Sequence, residues 1–172
     1  PSPTADFSFT PDLALVLEDV SFTDLSIGNG IGNWLWEFGD GEGDNNQNPI
    51  HSYSDGGDYI IYLVVTDANG CEDTTSRVIS IALPPVLPTG FTPDGDGEND
   101  IFIIRGGPFK GVNFNVYNKW GELIYSSNDA DEGWDGTYLG EEAQLGVYTW
   151  TFVVELANGK IIRQSGDVTL IR

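Results

Sequence analysis

The sequence contains few of the residues that build catalytic, metal and disulfide sites. Its 172 residues include one cysteine, Cys71, one histidine, His51, and no methionine. A single cysteine excludes an intrachain disulfide, and no second histidine is present to build a zinc site with His51. No Ser/His/Asp or Cys/His arrangement is recognisable, and nothing brings two carboxylates to a common cleft. The sequence therefore predicts that the chain is not an enzyme.

Basic residues are also scarce, since 7 Lys and Arg stand against 27 Asp and Glu, giving a net charge of −20. A surface this acidic repels phosphate backbones, which excludes a nucleic-acid partner. It is compatible with cation binding, or with charge that merely keeps a secreted domain monomeric. No apolar run approaches the roughly 18 residues of a membrane helix, so no direct membrane span is expected.

The start of the sequence and its one cysteine lead to two further expectations. The chain starts at Pro1 without a signal peptide, so we expect it to be the end of a longer protein whose export signal lies upstream. Cys71 is expected to be buried in a turn-to-strand element rather than available for an intermolecular bridge.

What the chain does contain is short β-branched and aromatic runs punctuated by many of its 22 glycines, which favours strands. Asn69-Gly70 and Asn158-Gly159 follow two such runs and predict type I′ hairpin turns. The pattern predicts an all-β fold of two antiparallel Ig-like β-sandwich domains in tandem. The expected strands are 5–9, 14–22, 33–38, 58–67, 77–82, 101–105, 114–118, 123–126, 147–156 and 160–171.

A proline-rich segment separates the two predicted sandwiches. Pro84, Pro85 and Pro88 favour an extended, semi-rigid spacer and interrupt a sheet ladder. We therefore predict a first domain over residues 1–83, a linker over 84–88 and a second domain over 89–172.

The first domain carries an ordered series of aromatic and glycine motifs. WEFGDG, NPIHSY and GDYIIYLVVTD follow one another and together resemble a PKD domain over about residues 3–83. The resemblance implies an Ig-like structural module of extracellular proteins. Its motif residues, all predicted to be structural, are Trp36, Phe38, Gly39, Asp40, Gly41, His51 and Tyr53. Asp40 is expected to accept backbone N–H bonds within the GDG turn rather than to bind Ca²⁺.

The second domain begins with an acidic, glycine-containing loop, DGDGEND. Two interpretations stay open for it. Oxygen ligands at alternate positions suit Ca²⁺, whereas Asp and Asn side chains also cap backbone groups in rigid turns. The turn interpretation is preferred. The segment is not an EF-hand, because its spacing and the absence of flanking helices exclude one. The candidate Ca²⁺ ligands are Asp94, Asp96, Glu98, Asn99 and Asp100.

Two tryptophans lie beside glycine turns, Trp120 before Gly121 and Trp134 before Asp135 and Gly136. We expect both indoles to fill the ends of a sandwich core rather than to stack on a sugar. Tyr148, Trp150 and Phe152 alternate on one strand face and are expected in the core as well.

The motifs FTPDGDGEND, YNKWGELIY, GWDG, LGVY and GDVTLIR follow in order and resemble the gliding-motility-associated C-terminal domain. This is the type B sorting domain of the Bacteroidota type IX secretion system. The resemblance covers about residues 86–172. It implies a non-catalytic sorting signal at the C-terminus of a large adhesin-like protein, with the PKD domain as a structural spacer. The implied route runs through the periplasm and outer membrane to the cell surface. The implied partners are the type IX translocon and a PorP/SprF-like outer-membrane β-barrel.

The last strand is the predicted recognition element of this sorting domain. An extended segment can pair with a partner's sheet edge, and the guanidinium of Arg172 is expected to be presented beside the chain end. The candidate recognition residues are Gly166, Asp167, Val168, Thr169, Leu170, Ile171 and Arg172. The alternative function is a carbohydrate-binding or adhesion module of an extracellular enzyme.

Overall fold

The computed structural model describes residues 2–172, and the regular structure in that range is all strand. The predicted all-β class is confirmed. The chain divides into two compact units, the first ending at Leu83 and the second beginning at Pro84. Among the described residues, no helix is long and apolar enough to cross a membrane.

The first unit is built from strands β1 (Phe7–Thr10), β2 (Leu13–Leu15), β3 (Val20–Asp24), β4 (Ile31–Glu37), β5 (Gly43–Asp44), β6 (Ile50–His51), β7 (Gly57–Asp67) and β8 (Glu72–Val86). One sheet has the order β1-β3-β6. The other contains β8-β7-β4-β5, and β2 pairs with β8 in parallel. The inward positions of the alternating strands fill a core between the sheets, in which Trp36, Phe7 and Phe22 are fully buried and lie in ring contact.

The second unit contains β9 (Gly90–Phe91), β10 (Arg105–Gly107), β11 (Phe109–Tyr117), β12 (Leu123–Ser127), β13 (Thr137–Tyr138), β14 (Glu141–Glu142), β15 (Gly146–Leu156) and β16 (Ile161–Leu170). Its main sheet has the order β12-β11-β15-β16-β9. Only the β16–β9 pair in this sheet is parallel. Strands β13 and β14 form a separate hairpin.

The core of the second unit lies on one face of this sheet and is covered by an irregular segment. Phe91 and Phe102 stack on each other with ring centroids 5.6 Å apart, and Phe102 contacts Phe114 of the sheet. Trp134 closes the other side, with its ring against Phe91 and Tyr148. Phe114 of β11 and Tyr148 of β15 therefore pack against Phe102 and Trp134, which come from outside regular strands.

The prediction of one strand over residues 14–22 is wrong. Strand β2 ends at Leu15 and β3 begins at Val20, because the backbone turns at Leu17, whose φ is 63°. The Leu17 N–H donates to the Tyr53 carbonyl at 2.8 Å. The sequence hides this crossing from one sheet to the other, because apart from Glu18 and Asp19 the side chains of the segment suit a strand.

Two further strand predictions need correction. The predicted strand over 101–105 is only a single bridge, in which Phe102 exchanges backbone hydrogen bonds with Trp134 at 2.8 and 2.9 Å. The next regular strand after this bridge is β10, which begins at Arg105. At the prolines, the extended conformation of β8 continues to Val86, although its pairing with β7 and β2 ends at Ile81 and Ala82.

The Asn-Gly turns form hairpins, but the predicted type I′ geometry is wrong. Gly70 and Gly159 have φ values of 81° and 82°, while neither preceding asparagine has a positive φ. The Gly70 N–H donates to the Asp67 carbonyl, and the Gly159 N–H donates to the Leu156 carbonyl. These are three-residue loops in which a type I turn ends in a glycine bulge. At the first loop, the Asp67 carboxylate also accepts bonds from the backbone of Asn69 and Cys71, which fixes the turn.

Cys71 follows this turn and is exposed, so the expectation that it is buried is wrong. Its backbone is held by Asp67, whereas its side chain lies outside the core.

Candidate functional site

The last strand, β16, is an internal part of the second unit. It pairs with β15 over ten consecutive positions without a bulge, from Ile161 to Leu170. Val168 and Leu170 are buried in the core, whereas Asp167 and Ile171 are exposed. Two of the predicted recognition residues therefore contribute to folding, and others face solvent.

The final residues of β16 are also paired on their second edge. The Thr169 N–H donates to the Thr89 carbonyl at 3.0 Å, and the Ile171 N–H donates to the Phe91 carbonyl at 3.1 Å. A partner strand could add at this point only by displacing β9. Within the described residues, the same edge of β16 has no strand beside it before Thr169.

Arg172 does not present its guanidinium to solvent as predicted. Nη1 donates to the Ala143 carbonyl at 3.0 Å and Nη2 donates to the Gly136 carbonyl at 3.2 Å. The side chain is only 22% exposed, and Nη1 lies 3.5 Å from a carboxylate oxygen of Glu142. Arg172 therefore ties the chain end to the two segments that flank the β13–β14 hairpin.

Gly166 lies directly opposite Trp150 in the β15–β16 register. A Cβ at this position would lie 2.7 Å from Cζ2 of the Trp150 indole. The indole in turn stacks parallel to Phe152, with ring centroids 5.5 Å apart. The glycine of the GDVTLIR motif is therefore required by the ring that crosses it.

The acidic loop brings together three of its five candidate Ca²⁺ ligands. Carboxylate oxygens of Asp94, Asp96 and Asp100 lie within 4.8 Å of one another, and Glu98 lies outside this group. Asp100 accepts bonds from the backbone N–H of Gly95 at 2.7 Å and of Gly97 at 2.8 Å. These two bonds lower the pKa of Asp100.

The other two carboxylates of the loop have similar local roles. Asp94 accepts from the backbone of Asp96, and Asp96 accepts from the backbone of Glu98. Asn99 adopts a positive φ of 55°, and its carbonyl accepts from Thr92. The hydrogen bonds of a turn thus account for the positions of the grouped carboxylates.

The two tryptophans beside glycine turns have opposite environments. Trp134 is 1% exposed, and its indole N–H donates to the Thr137 carbonyl, while Asp135 accepts from the Thr137 backbone. Trp120 is 82% exposed, so the prediction that it packs in the core is wrong. It lies at the tip of the β11–β12 hairpin, beside Gly121, whose φ is 78°.

The aromatic motif of the first unit forms a connected structural cluster. The His51 ring stacks on Phe38 at 4.1 Å, and its Nε2 lies 2.7 Å from an oxygen of Asp40. Tyr53 is fully buried, and its hydroxyl donates to the Phe38 carbonyl at 3.1 Å. The His51 side chain therefore contacts an aromatic ring and a carboxylate of its own domain.

The GDG turn of this motif depends on a close backbone approach. Gly39 has a φ of 85°, and a Cβ there would lie 2.7 Å from the Ile60 carbonyl oxygen. The Asp40 carboxylate accepts from the Glu42 N–H at 3.0 Å, next to Gly41. Burial alone would raise the pKa of Asp40, but the hydrogen bonds from His51 and the Glu42 backbone lower it overall.

Comparison with known proteins gives a match for each unit. Residues 2–81 match the PKD domain family, and residues 86–170 match the CHU_C type IX secretion signal domain family. The chain is 34% identical over 87 residues to pre-pro-metalloprotease PrtV of Vibrio cholerae, which covers 51% of this chain and 9% of PrtV. It is 37% identical over 70 residues to collagenase ColA of Clostridium perfringens, covering 39% of this chain and 6% of that protein. The chain therefore spans less than a tenth of the length of these two relatives.

The chain is also similar to solved structures. The PKD1 domain of Vibrio anguillarum Epp has a TM-score of 0.44 and 31% identity, covering 49% of this chain and 98% of that one. A structure of carbohydrate-binding modules from the β-sandwich superfamily has a TM-score of 0.50 and 15% identity, covering 98% of this chain and 78% of that one. At that identity, the second likeness shows the β-sandwich fold alone.

The family matches indicate the functions of the two domains in this chain. Both domains are non-catalytic. A secretion signal implies interaction with the secretion machinery and a secreted or cell-surface protein. The chain is a PKD domain, residues 2–81, followed by a CHU_C type IX secretion signal domain, residues 86–170.

Proposed function

We propose that this chain is the C-terminal part of a large adhesin-like surface protein, exported across the periplasm and outer membrane by the type IX system. The second domain is the sorting signal, and the PKD domain is a structural spacer. The partner at the outer membrane is a PorP/SprF-like β-barrel of the gliding-motility type. The family match of residues 86–170 is the observation that carries this proposal.

The hydrogen bonds around the chain end support recognition of the sorting domain as a folded unit. The backbone of Thr169 and Ile171 is bonded to the β9 segment, and the Arg172 guanidinium is bonded to two carbonyls of the same domain. In a free terminal strand, these backbone groups and the guanidinium would be available to bind a partner. The machinery therefore reads a folded surface, and the last strand acts mainly by completing it.

A reporter fusion tests the export role. A periplasm-directed fluorescent protein carrying residues 1–172 at its C-terminus is expressed in a host with a type IX system. The matched control ends at Leu83, and a second control uses a host that lacks the translocon. We expect surface fluorescence only with the full fusion in the complete host. Equal surface display of the shorter fusion, or retention of the full fusion in the periplasm, would refute the export role.

Two changes at the chain end separate recognition of the folded unit from recognition of the terminal side chain. Deletion of residues 167–172 removes Val168 and Leu170 from the core, a loss of about 1.5–3 kcal/mol for each side chain. We expect this deletion to unfold the domain and abolish export. Arg172→Ala removes two hydrogen bonds to carbonyls and leaves the core intact, so it should fold and be exported. Loss of export by a folded Arg172→Ala variant would show instead that the side chain itself is read.

The alternative of a carbohydrate-binding module has one observation in its favour, the exposed indole of Trp120. Sugar-binding sites present aromatic faces of this kind. A glycan-binding screen of the chain and of its Trp120→Ala variant tests it directly, since binding that depends on Trp120 would support this alternative.

A further inference from the structure

A groove of about 470 Å³ lies beside Trp120 in the second unit. Its walls come from the β11–β12 turn, the start of β12, and the chain from Tyr138 to Tyr148. Three of its apolar lining residues are largely exposed, Trp120 at 82%, Leu145 at 60% and Val147 at 58%. Exposed apolar side chains that are gathered at one groove mark interaction sites more often than scattered ones do.

The fold does not use the Trp120 indole. The turn is held by the Asn118 side chain, which accepts from the backbone N–H of Trp120 at 2.9 Å and of Glu122 at 3.1 Å. The Gly121 N–H donates to the Asn118 carbonyl. Any residue with a backbone N–H would satisfy the turn at position 120, yet the largest apolar side chain stands there in solvent. Tryptophan is enriched among the residues that dominate binding at protein interfaces.

The charge of the groove points to a cationic occupant. Three carboxylates line it, from Glu122, Glu141 and Glu142, against the single ammonium of Lys119. Glu122 accepts from Asn118 and Tyr138, and Glu142 lies near Arg172. In the described part of the chain, the Glu141 carboxylate has no ion pair or hydrogen bond.

The Trp120 ring already receives a cation from its own chain. The Lys119 Nζ lies 5.3 Å from the ring centroid, within the range of a cation–π contact. A cationic head from a partner would take the place of this ammonium over the ring, whereas a neutral sugar has no charge with which to replace it. A second copy of the chain is also disfavoured as the occupant of the groove, because two copies that each carry a net charge of −20 repel each other.

We propose that this groove binds an extended segment of another protein in which Arg or Lys alternates with aliphatic residues. The cationic head faces Trp120 and Glu141, and the aliphatic neighbours contact Leu145 and Val147. Arginine suits the site best, because its planar guanidinium both stacks on indole and pairs with a carboxylate.

The proposal is tested on the purified 172-residue chain with a defined peptide, acetyl-Leu-Arg-Leu-Arg-Leu-amide. Binding is followed by NMR through the Trp120 indole N–H and the methyl groups of Leu145 and Val147. Acetyl-Leu-Glu-Leu-Glu-Leu-amide is the matched probe of opposite charge, and cellohexaose is the sugar probe. We expect only the arginine peptide to shift these resonances, with affinity that falls as salt is raised, because exposed charges are screened.

Variants test whether the arginine peptide binds in the groove. Trp120→Ala should weaken binding of the arginine peptide about two- to fivefold, the factor expected for one exposed cation–π contact. Glu141→Gln should weaken it by up to about fivefold, as expected for one exposed ion pair. The controls Leu35→Ala and Glu37→Gln change exposed residues of the first unit and should leave the affinity unchanged. An unchanged amide spectrum elsewhere shows that each variant is folded.

Three results would overturn the proposal: equal binding of the glutamate peptide, binding of cellohexaose in place of the arginine peptide, or no shift at Trp120. The measurement needs no secretion system. Its failure therefore removes the groove proposal and leaves the reporter test of export as it stands.

Discussion

The contact between Gly166 and Trp150 gives the sharpest test of how the terminal motif works. In Gly166→Ala, the new Cβ would lie 2.7, 3.1 and 3.4 Å from three carbon atoms of the indole. Where the added Cβ would lie less than 3.0 Å from another heavy atom, one of the two atoms must move. The indole cannot simply move away from the strand, because it is stacked on Phe152, which is 1% exposed. The substitution therefore overpacks the core face of the sheet.

The size of the effect is a difference between two opposing contributions. Overpacking a well-packed core costs about 1–3 kcal/mol. Replacing a strand glycine by alanine gains about 0.5–1 kcal/mol from the unfolded chain. We expect Gly166→Ala to lose up to about 2.5 kcal/mol of unfolding free energy. Gly111→Ala is the matched control, since a Cβ there would meet nothing nearer than 3.8 Å; it should be neutral or gain about 0.5–1 kcal/mol.

Native-state hydrogen exchange is the suitable measurement, because a chain of two units does not unfold as a single two-state transition. The slowest amides of β11 and β15 report the unfolding free energy of the second unit. A Trp150→Val background completes the cycle, since removing the ring removes the clash. In that background, Gly166→Ala should behave like Gly111→Ala. The reasoning is refuted if Gly166→Ala costs as much without the ring as with it.

Three further predictions concern the acidic loop, the cysteine and the histidine cluster. Asp100→Asn should expose the Gly95 and Gly97 amides to faster hydrogen exchange without any response to added CaCl₂; Ca²⁺-dependent shifts of these amides in the parent chain would make the loop a cation site instead. Cys71 should be alkylated by iodoacetamide in the folded chain at the rate of an unfolded thiol, and the chain should form an oxidised dimer on a non-reducing gel that Cys71→Ser lacks; protection of the thiol would contradict its exposure. Because the folded-state pKa of Asp40 is lowered, its contribution to stability is present above the ordinary value of 3.8 and is lost as pH falls through the lowered one. Asp40→Asn should therefore flatten the acid side of the stability curve of the first unit, and an unchanged pH dependence would show that the His51 contact contributes nothing.

Long alternating strands were predictable from sequence, because their burial follows from local periodicity. Strand β15 alternates between aromatic and polar residues from Tyr148 to Phe152, and β7 is a β-branched and aromatic run; the structure places both strands within one residue of the predicted bounds. The crossing at Leu17 was not predictable in this way. An apolar residue with a positive φ carries no local signal, and its conformation is set by a bond to the distant Tyr53 carbonyl.

Exposure at turns was the least predictable property of the sites. Trp120 and Trp134 both stand beside glycine, yet one is exposed and the other is buried. The difference is tertiary, because Trp134 exchanges backbone bonds with Phe102, whereas Trp120 lies at a hairpin tip. The two carbonyl groups that accept hydrogen bonds from Arg172 lie 29 and 36 residues upstream, so no local pattern indicates that its guanidinium is hydrogen-bonded.

The terminal motif can now be divided by what each residue does for the fold. Gly166 makes room for an indole, Val168 and Leu170 fill the core, and Arg172 ties the chain end to the segments around the β13–β14 hairpin. These four residues would be required in any protein with this packing, whether or not a partner touched them. Under the proposed function, the groups available to a partner are those that the fold leaves exposed, among them Asp167 and Ile171 on the strand. The groove beside Trp120 is a second exposed surface of this unit, and variants there test binding without the unfolding that changes to the buried motif residues bring.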